Sequence, residues 1–244
     1  FWLKHSGMRQ TLSRVRSACT RVMSCKEAGC TEQLLLDNAR VRVSNVLVQP
    51  GDMCEVVHEF PTIRWQVDAA RHAIFSTNQE AKIEDVPDKA VFFLERGATW
   101  RVRNEGAGVY RQIVWEIKQP PKYSEEEAQS RLSRAVYSTK VGTALLFENE
   151  LCRVWDFCLK PGEGGTPETV HQHVFDYAMV YVAKGRLLGY THDLKPGLFD
   201  SMNENNEATW FSLPENAPED PECAHGGKNG YDDMPMREYL VELK

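Results

Sequence analysis

From residue 33 to the C-terminus the chain consists of short runs in which apolar and polar residues largely alternate, each broken by Gly, Pro or Asn. A period of two marks a strand with one buried face. Val41-Arg42-Val43-Ser44-Asn45-Val46-Leu47-Val48 is such a run, and Gln49-Pro50-Gly51-Asp52 closes it with a turn. Only two stretches carry helical signals. Near the N-terminus Met8, Leu12, Val15, Cys19 and Val22 recur three or four residues apart, with Arg9, Arg14, Arg16 and Arg21 between them. Further on, Gln119-Pro120-Pro121 stops a strand and Ser124-Glu125-Glu126-Glu127 follows as a capping box. The box predicts a short linker helix reaching about Tyr137. The pattern as a whole predicts an all-β barrel or sandwich.

The strand pattern occurs twice. Residues 38–52 align without a gap on residues 149–163, with identities at Asn38/Asn149, Arg42-Val43/Arg153-Val154 and Pro50-Gly51/Pro161-Gly162. After a four-residue insertion in the second copy the match resumes. His58 then falls on His173, Phe60 on Phe175, Val67 on Val182, Arg71 on Arg186 and Asn104 on Asn229. Each copy closes on an apolar strand, 112–118 and 238–244. The expected organisation is an N-terminal extension at 1–32, repeats at 33–119 and 141–244, and a linker at 120–140.

Charge and composition narrow the function classes. Apolar residues make up 42% of the 244, enough for a folded core, and no apolar run approaches the length of a spanning helix. Residues 1–26 hold six of the 29 basic side chains and no acidic one, which leaves 23 basic against 35 acidic in the remainder. Such an acidic body repels phosphate backbones, so neither nucleic acid nor a membrane is an expected partner. A small molecule is, and a homodimer is compatible with the pattern. The seven cysteines are odd in number and form no C-x-x-C pair, which reads as reduced thiols in an intracellular protein. The acid-free N-terminal segment fits either a mitochondrial or other organellar presequence or a helix lying on the barrel, so the expected compartment is cytoplasmic or organellar. Phe1-Trp2-Leu3-Lys4 resembles the translation of a trans-spliced leader, with Met8 as the natural start.

The chemistry-bearing residues lie in the second repeat. Gly165 is followed after five residues by His171-Gln172-His173, and Gly185 comes later; further on stands His225-Gly226-Gly227-Lys228-Asn229, preceded by Glu222 where a Gly is usual. Residues i and i+2 of a strand share a face, so His171 and His173 point the same way. Two motifs in this order, inside a repeat, resemble the cupin superfamily, small double-stranded β-helix barrels of the jelly-roll type. The resemblance covers nearly everything from residue 33 onward. It implies a tandem pair of barrels, a bicupin, whose second member holds one divalent metal ion on His171, His173 and His225. Fe(II) is favoured, and Zn, Mn, Ni and Cu also suit three imidazoles.

Where the family's usual glutamate would fall stand Tyr177 and Ala178, so a three-histidine sphere is expected, as in the cupin oxygenases that lack the acid. Tyr177, at that place, is the candidate catalytic acid. Asp176 is a candidate to orient a histidine, and the Asp176-Tyr177 pair is similar to small bacterial cupins of β-alanine catabolism. Arg153 could bind a substrate carboxylate, but its match with Arg42 favours a structural role in both copies. In the first repeat the motif positions hold Val56, His58 and Trp100, so that barrel is expected to be a scaffold without metal. Tyr181, Tyr190, Trp155 and Trp210 are expected mainly in the core. His5, His72 and His192 follow no pattern and are expected in solvent. Two stretches are peculiar to the second repeat: 192–207, polar and loop-like, and 214–222, stiff and acidic, either a lid or a solvated loop. The functional expectation is a metal-dependent oxygenase, with isomerase and lyase chemistries also open, acting on a small, anionic organic molecule. A non-catalytic bicupin that binds a metal or small ligand, or a structural component of a larger complex, is the alternative.

Overall fold

Each copy of the repeat folds into two antiparallel sheets, and the strands follow one another identically in both. The computed structural model describes residues 29–75 and 81–244; the presequence-like segment and His5 lie outside the described residues. Its strands fall into two units that divide between Pro120 and Pro121.

In the first unit the strands are β1 (Cys30–Asp37), β2 (Val41–Val48), β3 (Met53–Val57), β4 (Thr62–Gln66) and β5 (Ala70–Ile74). They continue with β6 (Lys82–Val86), β7 (Val91–Leu94), β8 (Thr99–Asn104) and β9 (Tyr110–Ile117). The second unit opens with helix α1 (Glu125–Arg134), then β10 (Ala144–Glu148), β11 (Cys152–Leu159), β12 (His171–Gln172) and β13 (Asp176–Tyr181). After these come β14 (Gly185–Thr191), β15 (Pro196–Asn203), β16 (Ala208–Phe211), β17 (Ala224–Asn229) and β18 (Met236–Leu243). Sheet orders are β1-β2-β9-β4-β7 with β3-β8-β5-β6, and β10-β11-β18-β13-β16 with β12-β17-β14-β15. Adding nine to each strand number of the first unit gives the second. Neighbours are mostly not consecutive in sequence, which is the double-stranded β-helix, or jelly-roll, arrangement.

The identities that revealed the repeat are the residues that shape strand ends. Asn38 Oδ1 accepts from the amides of Arg40 (2.8 Å) and Val41 (2.9 Å), and Asn149 Oδ1 accepts from Leu151 (3.0 Å) and Cys152 (3.1 Å). Both are turns made by a side chain standing in for backbone. Gly51 and Gly162 follow their prolines at φ of 82° and 67°, the left-handed region that a type II turn needs. Asn104 and Asn229 pin the far end of the same strands: Asn104 Nδ2 donates to Val48 O at 2.9 Å, and Asn229 Nδ2 donates to Leu159 O at 3.2 Å.

Helix α1 begins at the expected capping box, with Glu127 N donating to Ser124 Oγ (3.2 Å) and Ser124 N to Glu127 Oε2 (2.8 Å). It ends at Arg134. Two expectations are corrected. The polar stretch 192–207 contains strand β15, and its polarity reflects its place at the edge of its sheet. His72 is fully buried, its ring nitrogens facing the Tyr110 hydroxyl at 3.2 Å and Glu84 Oε1 at 3.3 Å; a histidine with two polar partners needs no solvent. His192 is half-buried against the Tyr137 ring. Trp155, Tyr177, Tyr181 and Trp210 are buried, and Tyr190 is half-buried.

Candidate metal centre

Antiparallel pairing of β12 with β17 sets His171 directly opposite His225, and His173 follows two residues later, where alternation returns to the same face. The ring centroids lie 5.2 Å (171–173), 4.6 Å (171–225) and 5.5 Å (173–225) apart. One ligand atom from each falls within 4.8 Å of the others, so small ring adjustments let one ion reach all three. Burial lowers the pKa of all three rings, and for His173 and His225 lowers it far. Neutral imidazole is the form that ligates a metal.

The outer nitrogens explain how the rings are aimed. His171 Nδ1 lies 3.0 Å from the Thr169 carbonyl, so it carries the proton and leaves Nε2 as the lone pair. His173 Nδ1 faces Glu242 Oε1 at 3.4 Å. Glu242 is fully buried; its other oxygen accepts from Arg153 Nη1 (2.9 Å) and Trp155 Nε1 (3.0 Å). Burial pushes this carboxyl up to about 7, and the Arg153 charge pulls against that. A line Arg153–Glu242–His173 therefore backs one ligand, as carboxylates commonly back metal-bound histidines. The first unit repeats it, with Arg42 Nη1 at 3.4 Å and His58 Nδ1 at 4.0 Å from Glu116. Arg153 thus belongs to a structural line shared by both copies. Asp176 Oδ1 accepts from the Leu213 amide at 2.8 Å, and the carboxylate facing a ligand is Glu242.

Tyr177 stacks flat on His173, centroids 3.8 Å apart, with Phe211 stacked against it at 4.6 Å. Burial raises its hydroxyl pKa, first of all, so the phenol keeps its proton at neutral pH. The donor set itself fits a catalytic ion. Three neutral nitrogens converge, no carboxylate joins them among the described residues, and His225 Nδ1 is buried without a partner.

Gln172, between the two histidines, points the other way and is fully buried. Its Nε2 donates to the carbonyls of Ala217 (2.5 Å), Pro218 (3.1 Å) and Asp220 (3.0 Å), while Oε1 accepts from the amides of Val136 and Tyr137, each at 3.0 Å. Arg131 of α1 reinforces the bond, donating to Val174 O (2.9 Å) and Glu215 Oε1 (2.8 Å). The stretch 214–222 is therefore fastened to the metal strand and to α1, a fixed rim rather than a swinging lid. Sequence reading missed Gln172 and Glu242; the alternation of β18, which turns Glu238 and Glu242 to the same side as Leu240, was the available signal.

No protein-family model matches the chain, and no curated protein matches it. Solved structures do. AerE from Microcystis aeruginosa superposes with a TM-score of 0.58 at 8% identity, over 89% of this chain and 94% of that one. An oxalate decarboxylase from Bacillus subtilis, in a deletion mutant, gives 0.55 at 12% identity, over 93% of this chain and 75% of that one. Another Bacillus subtilis oxalate decarboxylase structure, described by its Mn(II) centres, gives 0.53 at 13% identity over 88% and 73%. Among the described residues no helix is long and apolar enough to cross a membrane. Paired sheets in each repeat, the His-x-His that starts on β12 and the His-x3-Asn of β17 make this the cupin fold, with a histidine triad in its second copy.

Proposed function

We propose that the chain is a mononuclear, metal-dependent enzyme of the oxygenase type that acts on a small anionic organic molecule. The observation carrying this reading is a triad of buried neutral imidazoles whose converging ligand atoms include no carboxylate among the described residues. Three ligands leave positions open, and a sphere without an anion keeps its full positive charge. When bound, the ion supplies Lewis acidity toward an anionic ligand. Fe(II) is the favoured ion for that chemistry, with Mn, Zn, Ni and Cu as other fits to the same nitrogens.

The protein's own groups have distinct parts. The Thr169 carbonyl and Glu242 fix the two histidines of β12 and its exit, so that the binding nitrogens are set before any ligand arrives. Tyr177, stacked on His173 and kept as the neutral phenol by burial, would serve a bound molecule as a hydrogen-bond donor rather than as an acid. Aromatic walls from Phe157 and Phe199 flank the triad.

Oxygen consumption by the metal-loaded chain, measured across a panel of small organic acids, tests this reading. At least one acid is expected to elicit uptake that His173→Ala abolishes. Metal-loaded protein that consumes no oxygen with any of them, while still binding the acids, would make it a binder and not an oxygenase.

A further inference from the structure

The first barrel contains a buried positive charge with no counter-charge. Arg64, at the middle of β4, is fully buried, and no carboxylate lies within ion-pair distance of it among the described residues. Its Nε donates to Gln112 Oε1 at 2.8 Å, Nη1 lies 3.3 Å from His58 Nε2, and the guanidinium sits 5.1 Å from the centre of the Trp100 ring. Nη2 has no partner. The nearest acidic line offers no relief, because Glu116 is held by Arg42 at 3.4 Å. Burial lowers the His58 pKa, so this ring adds no charge beside the guanidinium.

The surrounding orphans are donors too. Trp100 Nε1 and Gln112 Nε2 are buried without a hydrogen bond, as is His58 Nδ1. Unsatisfied buried donors each cost free energy, and a lone buried charge costs several times more. A cluster whose open donors are a guanidinium nitrogen, an indole N–H and an amide N–H is complementary to an acceptor-rich anion. The second repeat shows that the fold does not require this arrangement. By strand register Arg64 stands opposite Val114 as Met179 stands opposite Leu240, and Gln112 lies opposite Gln66 as Glu238 lies opposite Tyr181. The copies thus carry Arg–Gln and Met–Glu at the same two places. Val56 stands where the second copy has His171, a smaller group in place of an imidazole.

We infer that the first barrel binds a small monocarboxylate on Arg64, with Nη2 and the Trp100 indole N–H as the donors left for it. A guanidinium matches a carboxylate better than a spherical ion. One guanidinium without a counter-ion sets the ligand at a monoanion. The inference is independent of the metal reading.

Thermal melts and titration calorimetry of the full chain with sodium acetate and sodium formate, against sodium chloride at matched ionic strength, test it. Saturable stabilisation by acetate or formate is expected, about 5 °C at a hundredfold excess over Kd, together with measurable heat. Arg64→Met, which installs the residue of the second copy, is expected to abolish both. Trp100→Phe keeps the packing and loses one donor, and is expected to weaken binding severalfold, so the inference stays testable if Arg64→Met does not fold. Equal shifts with chloride, no saturable effect of either carboxylate, or an unchanged response in Trp100→Phe and Arg64→Met would overturn it.

Discussion

Glu242→Ala is expected to destabilise the second barrel by about 3–5 kcal/mol, the scale for breaking one side of a buried ion pair. The substitution removes the acceptor shared by Arg153 Nη1 and Trp155 Nε1, and the carboxylate facing His173 Nδ1, from a place with no solvent. Glu148, 3.6 Å from Arg153 Nε, compensates only in part. Glu242→Gln preserves an acceptor oxygen and is expected to lose much less. Because His173 would also lose its backing group, metal retention should fall by about 10–100-fold in the alanine variant. Urea melts and chelator competition read the two effects separately. A loss under about 1 kcal/mol would mean that the Arg153–Glu242 pair does not hold the barrel wall together.

Glu238→Gln is expected to make the protein more stable, and only above a definite pH. Glu238 is buried on β18 opposite Phe157 and Tyr181, and its Oε1 has no partner. Burial raises its carboxyl from 4.5 to about 7. A carboxyl with a raised folded pKa favours folding while both states are protonated, and loses that contribution as pH climbs from about 4.5 through about 7. The loss amounts to about 3 kcal/mol by pH 8. Glutamine cannot ionise, so wild type and variant should agree near pH 4.5 and diverge above it, with the variant ahead. The neighbouring Glu242 and the histidines titrate in both proteins and cancel in the difference. Parallel stability profiles from pH 4.5 to 8 would show that Glu238 is not held in an apolar setting.

The repeat, the sheet content and the triad were legible because each has a local signature. Asn38/Asn149 and Pro-Gly pairs shape turns within three residues of themselves, and His-x-His declares a shared face by parity alone. The buried charges were not legible for the opposite reason. Arg64, Glu238 and Glu242 look like ordinary polar positions of alternating strands, and only the closure of the barrel turns that face inward. The match of Arg153 with Arg42 points to a structural role, but its acid partner is hidden in closing strands that read as apolar runs, 112–118 and 238–244. Glu116 and Glu242 occupy the same register position, opposite Thr62 and Tyr177, and a residue-by-residue match would have found them. β15 has the polarity of a loop because an edge strand needs no apolar face on its open side. The burial of His72 has no local signature because its partners, Glu84 and Tyr110, lie 12 and 38 residues along the chain.

Metal stoichiometry tests the central claim most directly. Protein purified without chelators and reconstituted with Fe(II) or Mn(II) should hold about one equivalent per chain, with an imidazole shell in X-ray absorption. His225→Ala should lose it, while His58→Ala should keep it. Wild-type protein that takes up no ion, or a His225→Ala variant that retains it, would contradict convergence of His171, His173 and His225 on a single ion.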